Sequence, residues 1–177
     1  MRITTKRGDG GLTGLAGGKR VSKCSPVIKT MGALDEAISF LGLAKAKTKN
    51  RVLKDTINFA QRDLFRIIAE LCRGAGECKE LKGFIKAVDV KRLEKIAGAA
   101  VKKAKPPKSF VIPGVNEESA YLHVARTVVR RAECMVVELN KKRRVNRDIS
   151  AYLNRLSDLL FILALLREGR HEVLRYE

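Results

Sequence analysis

The spacing of apolar residues is the feature that most constrains the fold of this chain. From Pro26 onward, apolar positions recur at intervals of three and four in five successive segments separated by short breaks. This spacing lines them up along one side of a helix, whereas a half-buried strand requires alternation with a period of two. No segment with that alternation and a strand-like composition competes with these five. The sequence therefore predicts an all-α protein, a five-helix bundle preceded by a glycine-rich N-terminal loop.

Local signals set the expected ends of the helices. Asp89 and Asn116 carry side chains that are favoured at a helix N-cap, and Gly74-Ala75-Gly76 is a typical helix end. The expected helices run from about Pro26 to Lys47, from about Asn50 to Cys72, from Asp89 to the run beginning at Lys102, from Asn116 to about Lys141, and onward from about Asn146. Residues 26–177 are expected to form a single helical domain, with residues 1–25 as a loop in front of it.

The whole chain has a strongly basic composition. It has 177 residues, a length typical of one domain, with 37 Lys and Arg against 19 Asp and Glu and a net charge of +18. A polyanionic partner is therefore expected, and both nucleic acid and a nucleotide triphosphate meet that description. Charge alone does not choose between them, because surplus lysines also serve as a solvated surface.

Neither a secretory signal nor a membrane-spanning run is recognised in the sequence, so we expect a cytoplasmic protein. The four cysteines, Cys24, Cys72, Cys78 and Cys134, contain no C-x-x-C pair. We expect them to be reduced thiols rather than metal ligands or disulfides.

Residues 5 to 23 form the one long region without helical periodicity, with six glycines among five Lys and Arg residues. Glycines let backbone N–H groups approach an anion, and the cations neutralise it. A flexible basic tail has the same composition, but Thr5, Asp9 and Thr13 favour a phosphate site, since hydroxyls and a carboxylate orient phosphate or metal-bound water. A Walker A loop is excluded because Arg20 stands where Ser or Thr would follow Lys19.

The fourth predicted helix carries an ordered polar stripe. At about 100° per residue, Ser119, His123, Arg126, Arg130 and Glu133 fall on one side and Val124, Val128, Val129, Ala132, Met135 and Val136 on the other. A solvated face with an ion pair between Arg130 and Glu133 is the simpler interpretation. A lone His123 is more typical of a hydrogen-bonded structural histidine than of a ligand. On the fifth helix, Asn154 and Asp158 lie four apart at the edge of a leucine-rich surface.

Four blocks stand in a fixed order and spacing along the chain. They are Thr5-Lys6-x-Gly8-Asp9-x-Gly11-x-Thr13 with Gly18-Lys19-Arg20 and Lys23; Gly32-Ala33-Leu34-Asp35-Glu36; Phe110-Val111-Ile112-Pro113-Gly114 with Arg126 and Arg130-Arg131-Ala132-Glu133; and Tyr152-Leu153-Asn154-Arg155-Leu156-Ser157-Asp158-Leu159-Leu160-Phe161. Together, over Thr5 to about Arg167, they resemble the ATP:cob(I)alamin adenosyltransferases of the trimeric helical-bundle class. The sequence departs from the family pattern at two places. Gly114-Val115 replaces a more usual pair of glycines in the corrin-side loop, and Ala164-Leu165-Leu166-Arg167 displaces an arginine that the family often carries slightly earlier in the fifth helix.

The resemblance implies a homotrimer with ATP bound between neighbouring subunits and residues 1–25 as the ATP-binding loop. The residues that it assigns to ATP are Thr5, Lys6, Gly8, Asp9, Gly11, Thr13 and Lys23 in the loop, with Arg130, Glu133 and Asn154 on the helices. Arg130 would bind phosphate oxygens, Glu133 would help to hold Mg²⁺, and Asn154 would contact the nucleotide. Asp35 and Arg126 would form an intersubunit salt bridge, and Phe110 would close the lower face of cobalt in the corrin. Arg126, Arg130, Phe110 and Asp35 are thus the residues on which catalysis is expected to depend.

The implied reaction is an SN2-like displacement in which cob(I)alamin attacks the 5′ carbon of ATP and expels triphosphate, giving adenosylcobalamin. The protein would contribute positioning and charge stabilisation rather than an acid or base. A corrinoid reductase and an adenosylcobalamin-dependent enzyme are possible partners. Two alternatives from other classes stay open: a basic nucleic-acid-binding protein, which the 5% aromatic content disfavours, and a non-catalytic trimer that binds ATP or corrinoid.

Overall fold

The computed structural model describes residue 4, residues 6–73 and residues 84–174. Five helices account for most of these residues. The helices are α1 (Pro26–Lys47), α2 (Arg51–Arg73), α3 (Ala87–Ala104), α4 (Glu117–Lys142) and α5 (Arg147–Glu168). The predicted all-α five-helix bundle is confirmed, with each predicted segment present as one helix. The predicted end of α2 at Gly74-Ala75-Gly76 and the state of Cys78 lie outside the described residues, whereas Cys24, Cys72 and Cys134 are free thiols.

The helices pack in a defined order around a main core, with a second small cluster of Ala100, Ile162 and Leu165. α1 lies against α4 and α2, and α5 lies against α4 and α3. α1 and α4 run antiparallel, because the Thr30 hydroxyl faces the Met135 carbonyl at one end and Lys47 pairs with Glu117 at the other. α5 is apolar enough to cross a membrane by length and composition, but 56% of its most apolar window is buried inside the protein. That burial is typical of the central helix of a bundle.

A short hairpin precedes the bundle. β1 (Leu12–Gly14) pairs antiparallel with β2 (Arg20–Ser22), with Thr13 opposite Val21, and a 3₁₀ turn at Ala16–Gly18 joins them. The sequence did not predict this hairpin within the glycine-rich loop. Strands of three residues are too short to show an alternating pattern, so the periodicity of the sequence carried no signal for them.

The start of α3 also differs from the prediction. Lys86, rather than Asp89, is the N-cap residue, and Asp89 is the third residue of the capping box. The Asp89 carboxylate accepts a hydrogen bond from the Lys86 backbone N–H at 3.0 Å. Burial raises the pKa of Asp89, but the hydrogen bonds from Arg66 and from the Lys86 backbone outweigh it, so that the pKa lies below its usual value.

A buried polar cluster joins α2, α3 and α5. The Asp63 carboxylate on α2 is 5% exposed and accepts hydrogen bonds from the Tyr152 hydroxyl at 2.8 Å, from Arg66 at 2.6 Å and from Arg92. Arg66 and Arg92 also pair with Asp89. Every buried charge in the cluster thus faces an opposite one, as buried ionic groups require. The cluster holds the first third of α5, which carries Tyr152, against α2, and it joins α2 to α3.

Candidate functional site

An open cavity of about 650 Å³ lies where α4 and α5 meet the extended link between α3 and α4. Its lining consists of Pro107, Lys108, Ser109, Phe110, Val111, Arg126, Arg130, Ser157, Asp158, Phe161 and Leu174. Three of the residues predicted to support catalysis, Phe110, Arg126 and Arg130, are therefore brought together. Phe161 was part of the motif on α5 but had no predicted role, and here it forms an aromatic wall of the cavity.

Arg126 is the most constrained cation of the cavity. Its guanidinium lies 5.7 Å from the centroid of the Phe161 ring, and its buried Nε has no hydrogen-bond partner among the described residues. Burial, followed by the charge of Arg130, lowers the pKa of Arg126 from its usual value. Arginine nevertheless keeps its charge in proteins. A half-buried cation with an unsatisfied donor is costly, and an anion that binds there would reduce this cost.

Glu133 and Asn154 form a second polar pair across α4 and α5. The Asn154 amide donates to Glu133 Oε1 at 3.1 Å, and Arg155 donates to the Asn154 carbonyl oxygen at 2.7 Å. Arg155 is itself held by Glu94 at 3.0 Å, so the Asn154 side chain is fixed in orientation. The alternative interpretation of α4, an ion pair between Arg130 and Glu133, is not formed within the described part of the chain.

The backbone beneath the cavity is held by the segment that follows α5. After α5, Gly169 adopts a φ of 73°, a left-handed value that favours glycine, and residues 169–174 fold back; we call them the C-terminal hook. The Ile112 N–H donates to the Glu172 carbonyl at 2.8 Å, and the Leu174 N–H donates to the Phe110 carbonyl at 2.9 Å. The Phe110 side chain is 73% exposed. An exposed ring therefore stands on a backbone that is pinned on both sides.

The predicted polar stripe of α4 is only partly correct. Ser119 and His123 are buried rather than in line with an exposed face, and Val124, predicted on the apolar side, is 38% exposed. The covering elements are the end of α5 and the C-terminal hook, because His123 Nε2 lies 2.9 Å from Glu168 Oε1 and His171 Nδ1 lies 3.0 Å from Glu168 Oε2. His123 is the hydrogen-bonded structural histidine that we expected. Sequence reasoning missed Glu168 and His171, for which only the glycine after α5 gave a signal.

The N-terminal loop is shaped around Lys23. The Lys23 backbone N–H donates to the Gly11 carbonyl at 2.9 Å, and Gly11 has a φ of +78°. A Cβ on Gly8 would lie 3.1 Å from the Lys23 ammonium nitrogen, so the missing side chain at Gly8 leaves room for that cation. Lys6 also has a positive φ, of 59°. The loop thus presents glycine backbone beside a lysine ammonium, a combination suited to a phosphate.

Within the described chain the loop and the cavity are separate. The loop contacts α2, where the Ala16 N–H donates to Cys72 Sγ at 3.2 Å, and its described residues, including Lys6, Asp9 and Thr13, do not line the cavity. Asp35 is exposed on α1, and no ion pair joins it to Arg126 within the described chain, whereas its neighbour Glu36 pairs with Arg131. Thr5 lies outside the described residues. The predicted site residues therefore fall into two groups.

The fold of this chain matches that of a solved protein. The chain superposes on a variant of the PduO-type ATP:corrinoid adenosyltransferase of Lactobacillus reuteri, solved in complex with cobalamin and ATP, with a TM-score of 0.93 and 28% sequence identity over 99% of this chain and 100% of that one. This likeness defines the class as the helical-bundle adenosyltransferases.

The amino-acid sequence also matches a family and several of its members. The model of the family described as cobalamin adenosyltransferase matches residues 3–167. A corrinoid adenosyltransferase of Citrobacter freundii is 37% identical over 97% of this chain and 98% of its own length. The corrinoid adenosyltransferase PduO of the same organism is 37% identical over 93% of this chain, which spans 49% of that longer protein. This chain belongs to the cobalamin adenosyltransferase family and is a transferase. The predicted family and the predicted ATP-dependent adenosyl transfer to a corrinoid are confirmed.

Proposed function

We propose that adenosyl transfer from ATP to cob(I)alamin takes place in the cavity between α4 and α5, completed by the N-terminal loop of a neighbouring subunit. The observation that carries this proposal is the exposed Arg130 guanidinium in the cavity lining, with which no carboxylate pairs among the described residues. A cavity that combines this cation with the rings of Phe110 and Phe161 suits an anionic nucleotide beside a large apolar macrocycle.

The triphosphate is the leaving group of this reaction, so the protein must stabilise the negative charge that develops on it. Arg130 is exposed and placed to bind phosphate oxygens. The loop residues Lys6, Gly8, Asp9, Gly11, Thr13 and Lys23, together with Thr5, bind the rest of the triphosphate. Residues 1–25 act as the ATP-binding loop and residues 26–177 as the bundle that receives it. Asn154 contacts the nucleotide with an amide that Arg155 holds in place.

Magnesium fits this site as a phosphate-bound ion. Among the described residues, no group of three or more His, Cys, Asp or Glu side chains could hold a metal by itself. Mg²⁺ is commonly held by one or two carboxylates together with substrate phosphates and water. Glu133, with one carboxylate oxygen occupied by Asn154, can supply one such ligand. When bound, Mg²⁺ neutralises triphosphate charge.

Two further roles concern the corrin and the assembly. Phe110, exposed on a pinned backbone, packs against the lower face of the corrin and excludes water or the nucleotide base of the cofactor from cobalt. Asp35 of one subunit pairs with Arg126 of the next in a homotrimer, which gives the unsatisfied guanidinium its carboxylate. The exposure of Asp35 on α1 supports this pairing, as does the absence of a bridge between these residues within the described chain.

The decisive test is Arg130→Ala, assayed anaerobically with cob(I)alamin, ATP and Mg²⁺ by the visible spectrum of adenosylcobalamin. Turnover should be abolished while the oligomer persists in sedimentation. Arg62→Ala, which removes an exposed arginine from α2, is the matched control and should leave turnover unchanged. Near-normal activity of Arg130→Ala would refute the phosphate role. A wild-type protein that binds ATP without forming product would instead be a non-catalytic binding trimer.

A further inference from the structure

The end of α5 holds a buried carboxylate between two histidines that come from different parts of the chain. The Glu168 side chain is 0% exposed. One of its oxygens meets His123 on α4 at 2.9 Å and the other meets His171 in the C-terminal hook at 3.0 Å. An ionised carboxylate only accepts hydrogen bonds, so each histidine then faces it with an N–H. Glu168 thus connects the bundle with the hook.

The hook in turn fixes the floor of the cavity. Three residues after His171, the Leu174 N–H donates to the Phe110 carbonyl, and the Ile112 N–H donates to the Glu172 carbonyl. Leu174 also lines the cavity beside Phe110. The Phe110 ring is largely exposed and has little packing of its own, so the direction of the ring depends on these backbone contacts. The hook lies outside the helices, so its position depends on these backbone hydrogen bonds and on the contact of His171 with Glu168.

We propose that Glu168 is a positioning residue for the corrin half of the reaction: by holding His171 against His123 it fixes the C-terminal hook, and the hook fixes Phe110 beneath the corrin. This inference rests on the proposed role of Phe110. Glu168 does not touch the substrate, so its loss acts on the geometry of the corrin site and leaves ATP binding unchanged. The contacts proposed for ATP lie on other parts of α4 and α5 and on the N-terminal loop.

The first test measures whether Glu168 holds the hook. Amide hydrogen exchange is followed at Ile112 and Leu174 in the full-length protein and in Glu168→Ala and His171→Ala. Loss of a charge-assisted hydrogen bond should accelerate exchange at these two amides by about tenfold to a hundredfold, with core amides of α1 and α2 unchanged. Glu138→Gln removes an exposed carboxylate of α4 and should change neither amide. Unaltered exchange at both amides in Glu168→Ala overturns the proposal.

The second test asks whether the hook positions Phe110. Cob(II)alamin is bound with ATP, and its electron paramagnetic resonance spectrum reports whether an axial nitrogen ligand has been removed from cobalt. Glu168→Ala and His171→Ala should retain more axial nitrogen than the wild type and turn over more slowly, as Phe110→Ala should, with an unchanged dissociation constant for ATP. If Glu168→Ala does not fold, His171→Ala carries both tests, since His171 lies beyond the last helix.

The outcomes distinguish the role of Glu168 from the role of Phe110. If Phe110→Ala loses the axial-ligand effect but the Glu168 and His171 variants keep it, the role of Glu168 is refuted and that of Phe110 stands. If Phe110→Ala itself behaves as the wild type, the role of Phe110 in the proposed function is refuted, and with it the functional consequence assigned to Glu168. A drop in ATP affinity equal to the drop in rate would make Glu168 a general structural residue and overturn its assignment to the corrin half.

Discussion

Replacing Asp63 by Asn tests how far the buried cluster between α2, α3 and α5 stabilises the bundle. The Asp63 carboxylate accepts hydrogen bonds from two arginines and from Tyr152. Removing one member of a buried ion pair costs about 3 to 5 kcal/mol. Here Arg66 is 31% exposed and Arg92 is 42% exposed, and both retain Asp89, so solvent and the second carboxylate reduce the loss. The expected change in the free energy of unfolding is about 2 to 4 kcal/mol.

This change should lower Tm by roughly 5 to 15 °C for a chain of this length. The assay is thermal and urea unfolding at one fixed protein concentration, because the stability of the proposed oligomer would depend on concentration. Asp55→Asn, on the exposed side of the same helix, is the matched control and should change stability by less than about 0.5 kcal/mol. If Asp63→Asn is as stable as Asp55→Asn, the cluster contributes specificity of packing rather than stability, and the reasoning from burial is refuted.

Three other changes test separate parts of the protein. Burial, followed by the nearby Asp63, raises the pKa of Tyr152. The stability due to this phenol is therefore complete below about pH 10 and falls above it, where the unfolded chain loses the proton first. Tyr152→Phe should reduce the alkaline loss of stability in urea unfolding, and an unchanged pH dependence would contradict the assignment. Asp35→Asn should shift the proposed trimer toward smaller species in sedimentation velocity at low concentration, and an unchanged distribution of species at every concentration would remove the proposed bridge. Glu133→Gln should raise several-fold the Mg²⁺ concentration needed for half-maximal turnover, with an unchanged requirement counting against a metal ligand there.

The sequence was most informative about the helices. The predicted first helix, Pro26–Lys47, has the bounds found in the structure, and Asn116 caps α4 with its side chain accepting from the Ser119 N–H. Both results follow from local chemistry, a proline in the first turn and an asparagine at the N-cap. The start of α3 was misplaced because an acidic residue at the third position of a capping box resembles an N-cap in sequence. Only the backbone geometry distinguishes the two.

The site was less predictable than the helices. The spacing of α4 placed Arg126 and Arg130 on one face, but the burial of His123 depends on a segment that follows α5 by chain reversal at Gly169. Periodicity describes one helix at a time and carries no information about what a distant segment covers. The convergence of Phe110 with the two arginines was expected from family resemblance alone. The split between the loop and the cavity is likewise a tertiary property that no local pattern encodes.

The helix α5 sets the distances between three parts of the proposed site. Asn154, Phe161 and Glu168 are spaced by seven residues, two helical turns, so they lie on one face at intervals of about 10 Å. The proposed nucleotide contact, the aromatic wall and the anchor of the hook are thus carried by one rigid rod. Inserting a single residue within this span would rotate the residues after the insertion by about 100° relative to those before it. Length changes in this family should therefore be accepted between helices but not within α5.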